Sequence, residues 1–409
     1  MVSDLLTVDY KKDFPLLAAT DVAYLDNSAT SQRPACVIEA ERDFYLKHNA
    51  NPLRGLYQLA MEATDAYENA RIAVQKFINA KSEQEIIFTR NTTESLNLVA
   101  YSYALSVLQP GDEIVTTIME HHSNMLPWRM AAAKTGAVVK YIDCDAEGYI
   151  SDATLAEAIT AKTKIVAMAQ VGNVLGRLNP VEKAIELAHA VGAVVVVDAA
   201  QSAPHMPVDV QKLDADFVAF SGHKMFGPMG IGVLYGKKKL LNKMPPYCYG
   251  GEMITWVSRD TQEYAPLPHK FEAGTVNAAG AVGLHAAIDY MNSIGFEVME
   301  AREAALTKLC FEGMQKLEGI NIIGSQKWEE HKGIITFTID GVHPHDIAAI
   351  MDADGVNIRA GNHCAQPLLD HLHCGATARA SLAFYNTEAD VQKFLTCLGS
   401  IRERMGYGR

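Results

Sequence analysis

Seven short runs rich in β-formers fill the middle of the chain: 85–89, 113–118, 138–143, 164–171, 193–200, 217–222 and 231–236. Most are separated by helical stretches. One spans 60–78, with Ala66, Ala70, Ala73, Val74 and Phe77 on one face, and another spans 181–191. Strands alternating with helices fold as βαβ units, which give a mainly parallel sheet covered by helices. The run 193–197 (AVVVV) has no polar residue, as suits a strand buried on both faces. The expected class is α/β, with a seven-stranded, mainly parallel sheet.

The pattern changes near residue 286. A long helix is expected over 283–318. β-runs follow at 320–324, 333–339, 356–359 and 378–384, with helices at 344–354 and 388–405. That reads as a smaller α+β unit. A chain of 409 residues exceeds what one core usually serves, so two domains are expected. The boundaries are drawn at 19–285 for a large domain, and at 1–18 together with 286–409 for a small one.

Composition narrows the partners. A net charge of −12 argues against nucleic acid, whose binders carry a basic footprint. No apolar run reaches the length of a membrane span, and the start MVSDLLTVDYKKDF lacks the basic and apolar regions of a signal peptide. The expectation is a cytoplasmic protein with a small-molecule or protein partner. The seven cysteines (Cys36, Cys144, Cys248, Cys310, Cys364, Cys374 and Cys397) are odd in number, widely spaced and free of C-x-x-C, so they do not form a disulfide framework.

The chemistry gathers at strand ends. Asp198 closes the apolar run 193–197, and ligands of open α/β sheets sit beyond the carboxyl ends of strands. After the next run comes Ser221-Gly222-His223-Lys224, a turn punctuated by Gly222, Gly227 and Gly230. A lysine there is well placed for imine chemistry. An aspartate that keeps a pyridine nitrogen cationic completes what pyridoxal 5′-phosphate (PLP) needs to act as an electron sink. Donors for its phosphate are at hand in TRNTTES (89–95), where a helix starts near Thr92. Amides at a helix start favour an anion, and Thr92 and Thr93 add hydroxyls. Ser221 and His223 add more. His121, in MEHHSN, is placed to lie flat against the pyridine ring, and Gln201 to donate to the phenolic oxygen. Each group alone reads as a surface charge, a cap or a turn. Four strand ends that carry, in order, the groups one cofactor needs do not.

The segments EHHSN (120–124), NVLG (173–176), DAAQS (198–202), SGHKMFGPMGIG (221–232), FEAGT (271–275) and RAGNHCAQP (359–367) resemble the class V aminotransferase family. Within it they resemble the group II, SufS-like cysteine desulfurases. The resemblance runs from Tyr24-Leu25-Asp26 to the C-terminus. It implies the PLP-dependent transferase fold type I and a homodimer with active sites at the subunit interface. It makes Lys224 the Schiff-base lysine, Asp198 the pyridinium partner and His121 the stacking ring. Thr93, Ser221 and His223 become phosphate ligands, with Thr275 reaching in from the other subunit. The implied reaction takes sulfur from L-cysteine, giving L-alanine and a persulfide on Cys364. A small sulfur-acceptor protein then feeds iron–sulfur cluster assembly.

Cys364 lies in Arg359-Ala360-Gly361-Asn362-His363-Cys364-Ala365-Gln366-Pro367, a loop punctuated by glycine and proline. A thiol beside His363 and near Arg359 is in electropositive company, which favours the nucleophilic thiolate. Arg379 is expected to grip the amino acid's α-carboxylate bidentately, with Asn173 assisting and Arg359 adding to the field. Lys224, as base, and His121, as acid or base, complete the catalytic set.

The chain departs from the family's pattern at four places. Leu53 precedes Arg54-Gly55 where histidine is usual, Asn362 stands where a histidine is usual, Gly172 replaces a serine before Asn173, and Val276 replaces a proline after Thr275. Leu53 and Asn362 border the persulfide loop and bear on its position and on the choice of acceptor. Other readings of the same fold are a selenocysteine lyase, a cysteine sulfinate desulfinase or a transaminase. A reading of another class is a non-catalytic scaffold of a sulfur-transfer complex, against which Lys224, Asp198, Cys364 and Arg379 all stand. His363, Cys364, His371, His373 and Cys374 are metal-ligand types, but H-C-x6-H-x-H-C is not a usual zinc spacing, and no metal is expected.

Overall fold

The structure, a computed structural model, describes residues 6–407. A short β1 (Ala23–Tyr24) precedes the main-sheet strands β2 (Ile86–Thr89), β3 (Glu113–Thr117), β4 (Val138–Ile142), β5 (Thr163–Ala169), β6 (Val194–Asp198), β7 (Phe217–Ser221) and β8 (Gly232–Gly236). Their order is β2-β8-β7-β6-β5-β3-β4. β4, β3, β5, β6 and β7 are mutually parallel, while β8 is antiparallel to both its neighbours. The expected seven-stranded, mainly parallel α/β sheet is borne out.

β6 shows why the sheet forms. All five of its residues are buried, and Val195, Val196 and Val197 are fully so. Full burial of a valine contributes about 2 kcal/mol, and β-branched side chains suit the pleat. The strand stops at Asp198 because the chain turns back on it: Ala200 N–H donates to Asp198 Oδ1 at 2.9 Å. That turn ends the run 193–200 two residues early.

After a hairpin of β9 (Ile254–Val257) and β10 (Gln262–Tyr264) come two helices, Ala278–Ile294 and Phe296–Met314. The single helix expected over 283–318 is thus corrected to two. Gly295 breaks it with φ +84°, a conformation that favours glycine and ends helices. Then follow β11 (Ile320–Ile322), β12 (Ile334–Ile339), β13 (Val356–Asn357), β14 (Arg359–Gly361) and β15 (Thr377–Ser381). β11-β12-β15-β14 form an antiparallel sheet, and the run 356–359 divides between two strands with different partners. β13 pairs in parallel with β1, and Asp26 bridges Ser381. Residues 23–26, which the sequence grouped with the large domain, are therefore hydrogen-bonded to the C-terminal strands.

The described part of the N-terminal segment packs at the junction of the two sheets. Lys11 Nζ meets Asp390 Oδ1 at 2.9 Å, and the Phe14 ring meets those of Phe226, Tyr290, Phe384 and Tyr385. Residues 1–5 of the expected small-domain segment lie outside the described residues. Among the described residues, no helix is long and apolar enough to cross a membrane.

Candidate active site

Beyond the carboxyl ends of β3, β5, β6 and β7 lies a pocket of about 350 Å³. Its lining includes twelve of the thirteen residues singled out from the sequence: Lys224, Cys364, His121, Asp198, Gln201, Thr92, Thr93, Ser221, His223, Arg379, Asn173 and Arg359. Thr275 stands outside it and lines another cavity with Cys248 and Glu272.

Lys224 follows β7 in a tight turn and is half-buried. Burial lowers its amine to about 8, against the pull of Asp198, with Arg379 lowering it further. A usable fraction is therefore neutral, and so nucleophilic, near neutral pH. In protein freed of cofactor, the rate of imine formation with added PLP should climb about tenfold per pH unit below 8 and level off above it. Absorbance of the imine reads this rate. A climb that continued to pH 10 would show an ordinary lysine instead. Burial raises the Asp198 carboxyl, offset by the Ala200 N–H and the Lys224 charge.

The helix beginning at Thr92 presses its first residues into the pocket. Its cap Asn91 lies so close to β8 that a Cβ on Gly232 would stand 2.5 Å from Asn91 Cα, so only glycine fits there. That approach sets Thr92 N–H on Ser221 Oγ at 2.9 Å and the two hydroxyls 2.7 Å apart. Thr93 Oγ1 reaches Ser123 Oγ at 2.7 Å. Ser123 N–H donates to His121 Nδ1 at 3.1 Å. Nδ1 is then the acceptor, so the neutral ring carries its proton on Nε2. Burial, then the charge of Lys224, lowers His121 to about 3, and the same causes lower His223 to about 4. Both are neutral at pH 7.

Arg359 and Arg379 face each other across β14 and β15. Like charges directly opposite in a sheet repel. Asp26 offsets this: it accepts from Arg359 Nε (3.1 Å) and Nη2 (2.6 Å) and pairs with Arg379 Nη2 at 3.5 Å. Arg379 Nη1 donates to Asn173 O at 2.8 Å, and its Nε has no protein partner. Burial lowers Arg379 to about 10, against Asp26, and it stays charged at pH 7. Sequence reasoning gave Asp26 no role, and no local signal marks it, because its partners lie more than 300 positions away.

Cys364 is exposed at the pocket's edge. The sequence set it in electropositive company beside His363 and near Arg359, and for His363 that is corrected. His363 is buried with Nε2 at 2.9 Å from Thr377 Oγ1, and burial, then Arg379, lowers it to about 3. A neutral imidazole adds no positive field, which comes from Arg359 and Arg379 instead. The Asn173 side chain is also engaged otherwise than expected: Nδ2 donates to His363 O at 2.8 Å. His371 Nε2 lies 2.8 Å from Cys144 O. Among the described residues, no group of three or more His, Cys, Asp or Glu side chains is arranged to hold a metal ion.

Residues 23–394 match the family model described as aminotransferase class-V. The chain belongs to the class-V aminotransferase family. Among its relatives is a probable cysteine desulfurase of Halalkalibacterium halodurans, 49% identical over 403 residues that cover 98% of each chain. The apo cysteine desulfurase of Thermococcus onnurineus NA1 superposes with a TM-score of 0.94 at 42% identity, covering 98% of both chains. The cysteine desulfurase CsdA (S-sulfonic acid) of Escherichia coli gives 0.90 at 40% identity, covering 97% of this chain and 98% of its own. The expected family and fold are borne out.

The class-V family is PLP-dependent, and the residues present fit that cofactor. Ser28 Oγ, Gln201 Oε1, His363 Nδ1 and Arg379 Nε are buried in pocket-lining residues without a protein partner. Each such atom costs about 1–3 kcal/mol unless a polar ligand meets it. A half-buried lysine near a buried carboxylate, hydroxyls at a helix start and an unpartnered Arg379 Nε suit an anionic carbonyl compound and a carboxylate substrate.

Proposed function

We propose that this chain is a PLP-dependent cysteine desulfurase that takes sulfur from L-cysteine onto Cys364. The observation that carries the reading is that Lys224, Asp198, Arg379 and Cys364 line one pocket. Near-full-length similarity to proteins named cysteine desulfurase supports it.

PLP, when bound, supplies an imine-forming carbonyl and a cationic ring that draws electrons from the substrate. Lys224 Nζ is the group that would hold it covalently as an imine. Asp198 would keep the ring nitrogen protonated, and His121, a neutral imidazole with its proton on Nε2, would cover the ring. Thr92, Thr93, Ser221 and His223 would hold the phosphate, and Gln201 would stand at the phenolic oxygen. Arg379, whose Nε has no protein partner, would take the substrate carboxylate, and Arg359 adds positive charge at the rim. As a neutral amine, Lys224 Nζ would take the substrate's α-proton.

The Cys364 thiolate then attacks the substrate sulfur. A bond forms between Cys364 Sγ and that sulfur as the substrate Cβ–S bond breaks. The electron pair stays with the carbon skeleton, which is protonated and leaves as L-alanine. The persulfide passes to a small sulfur-acceptor protein that feeds iron–sulfur cluster assembly.

The working unit is read as a homodimer. Leu46, Leu56, Met229 and Trp256 are large apolar side chains left exposed in one chain, Leu56 at 94%. In that unit Thr275 serves the other subunit's phosphate. The two sheets are read as two domains, 19–285 and 286–409 with 1–18, with residues 23–26 crossing between them. The exposed thiols of Cys36, Cys248 and Cys364 suit a reducing cytoplasm.

The test is mass spectrometry of the protein after exposure to L-cysteine, with alanine measured alongside. The peptide carrying Cys364 is expected to gain one sulfur. Alanine without added sulfur on that peptide would sink the reading.

A further inference from the structure

Thr275 lies in the segment 272–277, which leads into the helix Ala278–Ile294. It is exposed, and among the described residues its side chain has no hydrogen bond. Gly274 before it has φ +85°, and Val276 after it leaves φ free where a proline would fix it. A hydroxyl on such a stretch reaches a neighbour accurately only if both ends of the stretch are held.

Asn277 holds one end. Its Nδ2 donates to Gly230 O, in the glycine turn after Lys224, and its Oδ1 accepts from Gly280 N–H, each at 2.9 Å. Glu272 holds the other. Its Oε1 accepts from Arg71 Nη1 and from Phe88 N–H, each at 2.7 Å. Its Oε2 accepts from Arg71 Nη2 and from Tyr67 OH, each at 2.8 Å. These bonds fill the carboxylate's capacity, and both it and the guanidinium are buried. Arg71 Nη1 also donates to Ile86 O at 2.9 Å, and its guanidinium stacks on the Tyr67 and Phe88 rings. Tyr67 and Arg71 lie on the helix Gln58–Phe77, and Ile86 and Phe88 on β2. One carboxylate thus ties the Thr275 segment to a helix and to the main sheet. Apolar side chains of the same volume would stabilise such a spot as well as a buried ion pair does. What the fully bonded pair adds is a fixed direction and place.

We propose that Glu272 is a positioning residue, an anchor that holds segment 272–277 so that Thr275 meets the PLP phosphate of the other subunit at a fixed place. It rests on the reading of a homodimer in which Thr275 serves that phosphate.

Release of PLP from the holoenzyme, followed as loss of imine absorbance after dilution, tests this. Thr275→Ala removes one hydroxyl bond to a charged group and is expected to speed release about tenfold. Glu272→Gln keeps one carbonyl oxygen and leaves Arg71 paired with Glu68, whose Oε2 is 2.9 Å from Arg71 Nε. It is expected to speed release by a similar factor and to quicken amide exchange over residues 273–276. Added to Thr275→Ala it changes release by less than about twofold, because the hydroxyl it positions is already gone. A general loss of stability would instead add to the Thr275→Ala effect. Tyr67→Phe keeps the ion pair and removes one hydroxyl. It should speed release about threefold, again only while Thr275 is present, and it decides the matter if Glu272→Gln does not fold. Release at the parent's rate from both variants, beside faster release from Thr275→Ala, overturns the anchor, and so does an additive double variant. Failure of the underlying reading looks different: Thr275→Ala itself would release PLP at the parent's rate, and the anchor would fall with it.

Discussion

Lys224→Ala is expected to abolish the imine absorbance and to lower alanine formation by at least about 10³-fold. A positioned acid–base group alone contributes about 10²–10⁴-fold, and the proposed mechanism also makes Lys224 the covalent anchor. The geometry makes the loss hard to rescue. Lys224 lies in a turn fixed by the Met225 and Gly227 amides on the Gly222 carbonyl, each at 3.0 Å, and among the described residues no second lysine lines the pocket. The buried carboxyl of Asp198 loses its nearby cation and is raised further by burial, since Lys224 is one of the charges that offsets that effect. Spectra and alanine assays on the purified variant check this. A variant that kept the absorbance would place the imine on another lysine.

Cys364→Ser is expected to bind L-cysteine with the parent's spectral change yet form no persulfide. Serine is the informative replacement. Cys364 sits at φ +55°, a conformation a serine bears at about the same cost as a cysteine, whereas glycine would relax the loop and confound the result. Only the sulfur changes, so loss of transfer is chemical. The expected fall in alanine formation is about 10²-fold or more, because the hydroxyl is a far weaker nucleophile at neutral pH. Full sulfur transfer by the serine variant would refute the mechanism. Comparing Cys364→Ala on L-cysteine, L-selenocysteine and cysteine sulfinate separates the desulfurase from lyases of the same fold, which need not use this thiol.

The cofactor pocket was unusually legible in the sequence because its parts are local. Asp198 ends an apolar strand, Lys224 follows the next, and Thr92 opens a helix after a third. A parallel sheet gathers strand ends at one edge, so knowing the strands is nearly enough to assemble the groups. The substrate side was less legible. Arg379 could be named from its chemistry, but its restraint by Asp26 and the Asn173 carbonyl joins segments hundreds of residues apart. The helix break at Gly295 was missed because apolar periodicity continues across it, and only φ +84° reveals it.

By itself, then, the sequence determined the sheet class, the family and the chemistry of the cofactor site, all of which follow from side-chain type and near-neighbour periodicity. Tertiary structure alone decided what depends on burial and on long-range pairing. It made His363 neutral, because a buried imidazole beside Arg379 gives up its proton. It gave Asp26 two arginines to restrain and set the Asn173 side chain on the His363 carbonyl. No spacing along the chain encodes these, because each is set by which distant strand lies alongside.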